Sequence, residues 1–369
     1  MIVLEKRPTP SRFWGAATPV AAVILTMVAG GIMFAALGKD PVAAMRIIFW
    51  DPICDSRWGL PCNDQFASYS RPQLLIKAGP LILIAIGLSL GFKAGIWNIG
   101  AEGQYIIGAI CGAAFGLAFW PSENPLIFPG MVIAGLIGGW AWAMIPGILK
   151  TRFRTNEILV SLLLVYVAEA ILASAATSWL RNPDAMGFPG SRNLSRHPGT
   201  DNPELIAGTG MHWGVLAAFI AVIAAYVLMN RHVLGYQIRL AGQAPRAARF
   251  AGVDPNRLVL LCLGISGALA GAAGLFEVSG PAGQISIDFN VGYGFTAIIV
   301  AFLGRLHPVG ILLAGLLMAL TYIGGELAQL MLGIPAPAIQ AFQGMLLFFL
   351  LALDVLSNYR IRLKRTEAA

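Results

Sequence analysis

The chain has 369 residues, of which 57% are hydrophobic and only 12% charged. A soluble globular chain carries about 25% charged residues, so there is too little charge to cover a water-facing surface of this size. The net charge of +7 does not point to nucleic acid, because the basic residues sit in short segments between apolar runs, where they act as topology signals.

In chain order, Lys6, Arg7 and Arg12 precede a first apolar run, 18–38. The run is long enough to cross a hydrocarbon core of roughly 30 Å. No small-residue cleavage site clearly follows it, so it reads as a membrane helix and not as a removable leader. A polar outer segment, 39–72, holds Cys54 and Cys62, whose spacing permits a disulfide in an oxidising compartment. Four more runs follow at 73–92, 104–120, 126–149 and 157–180. A second polar segment, 181–211, leads into runs at 212–230, 258–278, 292–304, 309–332 and 338–356. The run at 292–304 is short and reads as tilted, broken or re-entrant. The expected fold is all-α: a polytopic integral membrane protein of about ten transmembrane helices, one transmembrane domain over 1–369.

With the N-terminus inside, the inner segments are 1–17, 93–103, 150–156, 231–257, 305–308 and 357–369, holding 17 Lys and Arg residues against 7 in the outer segments. That excess places both termini in the cytoplasm. Ten spans divide into two sets of five, and the second set enters from the opposite side. This permits a 5+5 inverted repeat, a plan common among transporters.

The connection between the second and third runs, Gly91 to Gln104, mixes glycines with polar side chains. Gly100 and Gly103 let backbone approach a ligand. Trp97 offers a stacking face, and Asn98, Glu102 and Gln104 offer hydrogen bonds. Two readings stay open: a short cytoplasmic turn with a helix-capping Asn98, or part of a substrate path. A matching interruption, Phe276 to Ser286, joins runs seven and eight, with Glu277, Ser279 and Gln284 as its polar contacts. Interruptions in corresponding places of two halves point to a transporter site; the alternative is an ordinary outer loop. Glu169, Glu277 and Glu326 lie in or near spans and serve either as proton-relay groups or as paired structural groups.

The long inner loop contains Pro245, which suits a first helical turn. Arg246–Ala251 then reads as a short basic helix, with Gly252 as its C′ residue. Such a helix either docks into another protein or is simply a positively charged retention loop. The stripes Gly108/Gly112/Gly116, Gly135/Gly139 and Gly267/Gly271 favour close helix crossings. Cys111 and Cys262 read as inert small apolar residues. With only four His and no Cys/His cluster, no metal site is expected. A phosphate loop, a nucleophile elbow and a dinucleotide fingerprint are all missing.

Arg246-Ala-Ala-Arg-Phe-Ala-Gly252 resembles the Glu-Ala-Ala-x-x-x-Gly loop of ABC importer permeases, with Arg246 in place of the Glu. Phe92–Gln104, Arg154-Thr-Asn-Glu-Ile-Leu-Val-Ser161 and Ile265-Ser-Gly-Ala-Leu-Ala-Gly271 are similar to the nucleoside and simple-sugar branch of that class, which includes branched-chain amino acid and ribose permeases. The resemblance covers roughly residues 70–355. It implies one permease subunit of an importer moving nucleosides or related small solutes across the inner membrane. It also implies a second, related permease, two cytoplasmic ATPase subunits carrying ATP and magnesium, and an extracytoplasmic lipoprotein or periplasmic binding protein. This chain would hold no cofactor and no catalytic residue. Arg246, Ala247, Ala248, Arg249 and Gly252 would couple it to the ATPase. The residues alone leave a simple-sugar permease and an ion-coupled secondary transporter as alternatives.

Overall fold

The computed structural model describes residues 2–6, 12–58, 62 and 64–363. Arg7 in the first inner segment and 364–369 in the last lie outside the described residues. In chain order the elements are β1 (Ile2–Lys6), α1 (Arg12–Ala36), α2 (Pro41–Phe49), α3 (Asp64–Lys93), α4 (Ala101–Ala118), α5 (Ile127–Phe153), α6 (Glu157–Thr177), α7 (Trp213–Arg231), α8 (Val233–Gln243), α9 (Pro245–Phe250), α10 (Pro255–Ser279), α11 (Tyr293–Leu303), α12 (Pro308–Leu332), α13 (Ala336–Asn358) and β2 (Tyr359–Leu363).

Among the described residues, nine helices are long and apolar enough to cross a membrane: α1, α3 to α7, α10, α12 and α13. The remaining apolar run, the eighth, is α11, with 11 residues. At 1.5 Å per residue it reaches only about 16 Å, so it is a half-span. Two short features add to the expected all-α plan, one of them in the first outer loop. That loop contains α2, started by Asp40, whose carboxylate accepts from Val42 N–H at 2.8 Å and Ala43 N–H at 3.3 Å, with Pro41 at the first helical position. The chain ends also pair as an antiparallel ribbon, Ile2 opposite Leu363 and Lys6 opposite Tyr359.

The chain divides into two compact units, 1–71 with 320–369, and 72–319. The first is built on α1, α2, α13 and the end of α12. Phe34, Ile48, Ala328, Ile339 and Phe342 form its core, and the Phe34 and Phe342 rings stack at 5.8 Å. Lys39 Nζ donates to the last carbonyl of α12, Leu332 O, at 2.6 Å, a favourable place for a cation. Cys54 and Cys62 are joined by a disulfide with Cα atoms 5.7 Å apart. Arg71 donates to the Cys54 carbonyl and lies 3.4 Å from Asp55.

The second unit is organised by glycine. The three stripes read separately in the sequence meet one another: Gly108 of α4 lies against Gly271 of α10, and Gly139 of α5 lies against Gly267 and Gly271. A Cβ on Gly139 would sit 2.7 Å from the Gly271 Cα. Where lipid is as apolar as Leu, close backbone approach is what holds helices together.

Successive helices of this unit run from one end to the other. At one end, Gly242 abuts the Lys93 carbonyl, Lys150 pairs with Glu157, and Tyr226 meets His307 at 6.0 Å. At the opposite end, Ser191 N–H donates to Ile285 O at 2.8 Å, Leu194 N–H to Gly283 O at 2.7 Å, and Asn202 N–H to Ser279 O at 3.1 Å. The first end collects the segments read as inner and the second those read as outer.

Candidate functional site

α3 ends at Lys93, turns at Ala94–Gly95, and is non-helical through 96–100 before α4 begins at Ala101. The Trp97 ring lies 5.9 Å from Phe302 near the C-terminal end of α11. Five residues later, Glu102 reaches the N-terminal end of the same helix. Seven residues of α11, Phe295 to Phe302, separate those two points, about 10 Å. The segment therefore runs antiparallel along α11, and α4 starts beside the first turn of that helix. Non-helical backbone there must be satisfied by protein. Ile99 N–H donates to Ser161 Oγ at 3.3 Å, Gly100 N–H to Asn98 Oδ1 at 3.1 Å, and Ile96 N–H to Gly91 O at 2.9 Å.

Asn98 and Gln104 form a reciprocal amide pair. Asn98 Nδ2 donates to Gln104 Oε1 at 2.8 Å, and Gln104 Nε2 donates to Asn98 Oδ1 at 3.1 Å. Asn98 Nδ2 also donates to Ser266 Oγ of α10 at 2.9 Å. Both side chains are buried. Asn98 thus spends its hydrogen bonds on the loop, α4 and α10, and it is not the side-chain cap of α4, whose N-cap is Gly100.

Glu102 is 0% exposed. Its carboxylate accepts from Gly294 N–H and from Phe295 N–H, the latter at 3.2 Å. Glu102 itself sits in the first turn of α4. The carboxylate therefore lies at the N-terminal ends of two helices, where backbone dipoles favour negative charge. Its other oxygen, Oε1, has no hydrogen-bond partner. Glu169 of α6 accepts from Asn290 Nδ2 at 2.9 Å, and Asn290 Oδ1 accepts from Gly292 N–H at 3.2 Å, which shapes the turn into α11.

Trp97 stacks in a trio with Phe92 at 5.0 Å and Phe302 at 5.9 Å and keeps 39% of its surface exposed. The second group of sequence-predicted residues lies elsewhere. Ser266, the partner of Asn98, precedes Glu277 by eleven residues of α10, about 16 Å. Glu277 is buried and feels the charge of Lys77. Ser279 Oγ bonds back to Leu275 O at 2.8 Å. Gln284 stands beside Gly190 of the long loop. No hydrogen bond among the described residues joins this group to Asn98, Glu102 or Gln104. Glu326 of α12 falls in the other unit.

α9 closes in a Schellman motif: Gly252 N–H donates to Arg249 O and Val253 N–H to Ala248 O, both at 3.0 Å, with Gly252 at φ +79. Ala248 and Val253 are buried in a cluster with Ile238, Leu258, Leu90, Ala94 and Ile96. Arg246, Ala247 and Arg249 point outward. So does Phe250, 94% exposed, a residue that sequence reading did not single out. The motif at 154–157 has a structural account. Asn156 Oδ1 accepts from Ile158 N–H at 2.9 Å to start α6, Glu157 pairs with Lys150, and Arg154 takes a left-handed conformation at φ 55. Among the described residues no group of three His, Cys, Asp or Glu is placed to hold a metal ion.

Residues 71–351 match the family model described as the branched-chain amino acid transport system permease component. The chain is 33% identical over 97% of its length to a glucose ABC transporter permease protein of Haloferax volcanii, covering 93% of that protein. It is 26% identical to the nucleoside ABC transporter permease protein NupB of Lactococcus lactis, over 90% of this chain and 89% of that one. It is 27% identical to the guanosine ABC transporter permease protein NupP of Bacillus subtilis, over 93% and 94%. Both bacteria contribute a second matching permease, NupC and NupQ. No solved structure matches the chain. The chain is a multi-pass membrane protein and belongs to the branched-chain amino acid transport system permease family.

Proposed function

We propose that this permease is one membrane subunit of an ATP-driven ABC importer that carries nucleosides or simple sugars inward across the cell inner membrane. The observation that carries the reading is α9: a basic helix outside the spans, showing a fully solvent-facing Phe250, on a chain with no phosphate loop of its own. Aromatic and Arg side chains are the common anchors of protein interfaces. ATP and magnesium then belong to two cytoplasmic ATPase subunits, and this chain takes no part in hydrolysis.

The mechanism follows from what α9 touches. Ala248 and Val253 share a packed cluster with Ala94 of the turn and Ile96 of the non-helical segment that follows it. Two residues on, Asn98 is tied to Gln104 and Ser266, and Glu102 caps α11. Movement of α9 with ATPase closure is thereby passed by contiguous packing to the half-span. Alternating access is a shift in the inward and outward populations produced by that contact. Trp97, Asn98, Glu102 and Gln104 line or hold the inner part of the path in this account, and Glu277, Ser279 and Gln284 its outer part.

A second permease is the expected membrane partner, supported by the paired permeases of L. lactis and B. subtilis. An extracytoplasmic lipoprotein or periplasmic protein would deliver solute at the end formed by 178–212. The 17 to 7 excess of Lys and Arg and the direct pairing of β1 with β2 support both termini being cytoplasmic. The test is competition for uptake in vesicles holding the full assembly. Unlabelled nucleosides or glucose should suppress uptake of the labelled solute, and suppression by branched-chain amino acids alone would reject the substrate class.

A further inference from the structure

At the outer end, where α4 gives way to the turn at Trp120, the long loop 181–201 folds over to leave a cleft of about 480 Å³. Its walls are Trp120, Asn182, Asp184, Arg192, Asn193 and Arg196, with His197 at the edge. The volume falls in the range of small-molecule sites.

The walls are braced by one another. Arg192 Nη2 donates to Asp184 Oδ2 at 3.1 Å, and its guanidinium lies over the Trp120 ring at 5.3 Å. The His197 ring is 4.0 Å from Trp120, and both its nitrogens are used: Nδ1 by Gly199 N–H at 3.3 Å and Nε2 by Pro121 O at 3.2 Å. Asn182 Oδ1 accepts from Asp184 N–H at 3.1 Å, and Asn193 Oδ1 accepts from Ser195 Oγ at 3.0 Å. What stays without a hydrogen bond among the described residues is Asn182 Nδ2, Asn193 Nδ2, the second Asp184 oxygen and the Arg196 guanidinium.

We propose that this cleft is an outer waiting site for a neutral polyhydroxylated solute, engaged through a vicinal diol. A hydroxyl donates and accepts at once, and adjacent hydroxyls match planar amide, carboxylate and guanidinium groups that present donors and acceptors side by side. Asp184 is already paired with Arg192, so the groups left open are two amide donors, one carboxylate oxygen and the Arg196 guanidinium, a mixed set of donors and acceptors that a diol can engage together. The proposal rests on the reading of a nucleoside or simple-sugar importer and assigns it an entry site separate from the path at Glu102.

The experiment is ligand-observed NMR on the purified chain in nanodiscs, with inosine, 2′,3′-dideoxyinosine, D-glucose and citrate as probes. Saturation transfer is expected for inosine or glucose and not for the dideoxy analogue. Asp184→Ala and Arg196→Ala, both on exposed side chains, should each weaken it about tenfold, because stranded polar groups discriminate strongly. Equal signals from inosine and its dideoxy analogue, binding of citrate alone, no binding at all, or diol binding unchanged in both variants would each overturn the site. ATP-driven uptake by the full assembly is measured in parallel. Uptake that persists without cleft binding sinks only this proposal, and cleft binding without ATP-driven uptake sinks only the importer reading.

Discussion

Glu102 of α4 accepts the backbone N–H of Phe295 of α11 at 3.2 Å, across 193 residues of sequence. It joins the first interruption, Gly91 to Gln104, to the start of the short helix α11. A buried carboxylate in a membrane protein is costly, and here the N–H groups in the first turn of α11, which have no acceptor within their own helix, offset that cost.

Glu102→Ala removes the acceptor and leaves the buried Gly294 N–H and the part-buried Phe295 N–H without it, a loss of about 1–3 kcal/mol for the buried group. Glu102→Gln keeps an oxygen acceptor but not the charge held by two helix ends. The alanine variant should lower thermal stability in detergent clearly more than the glutamine variant, and both should slow uptake. Equal stabilities would remove the capping role.

The glycine crossing of α4, α5 and α10 leaves no room for a side chain. A Cβ on Gly271 would lie 2.9 Å from the Gly139 Cα and its backbone N. Gly271→Leu should cost at least about 1–3 kcal/mol through overpacking and reduce the yield of folded protein. Gly252→Ala, with nothing within 4 Å of its Cβ, should cost only the strain of a left-handed backbone, about 1–2 kcal/mol. Melting curves of the two variants side by side check the ordering.

Phe250→Ala and Arg249→Ala alter solvent-facing side chains of α9. Stability should change by no more than about 0.5 kcal/mol, while uptake per ATP hydrolysed should fall about tenfold, as for an interface anchor. Measuring hydrolysis and uptake in the same vesicles decides it. Unchanged coupling in both variants would detach α9 from the ATPase.

His212, just before α7, is buried, and its Nδ1 accepts from Gly214 N–H at 3.1 Å and pairs with Asn202 Nδ2 at 3.0 Å. Burial pushes its pKa down to about 4 from the ordinary 6.5. The unfolded chain then binds a proton that the folded chain refuses, so stability falls as pH drops from about 6.5 toward 4, by about 3 kcal/mol across that window. His212→Gln should flatten this part of the pH–stability curve.

The spans, the glycine stripes and α9 were legible in the sequence because each is a local pattern: a long apolar run, a four-residue spacing, a Pro-to-Gly frame. Even the shortness of 292–304 signalled a half-span. The partners of Asn98 and Glu102 were not legible. Asn98 pairs with Gln104 six residues on and with Ser266, 168 residues away, and Glu102 finds main-chain N–H groups that carry no residue-type signature. Phe250 passed unremarked because one aromatic residue in an apolar chain looks ordinary until its 94% exposure is known. α2, apolar apart from Arg46, is only nine residues long and so did not stand out as a span, and the terminal ribbon pairs residues at opposite ends of the sequence.

The central claim is that this chain moves solute on energy supplied through another protein. The most direct measurement is uptake into vesicles holding this permease with its partner subunits and binding protein, with the proton gradient collapsed by an ionophore. The account predicts uptake that persists under the ionophore and stops when ATP is withheld. Uptake by this chain alone, or uptake that ends with the proton gradient while ATP remains, would contradict it.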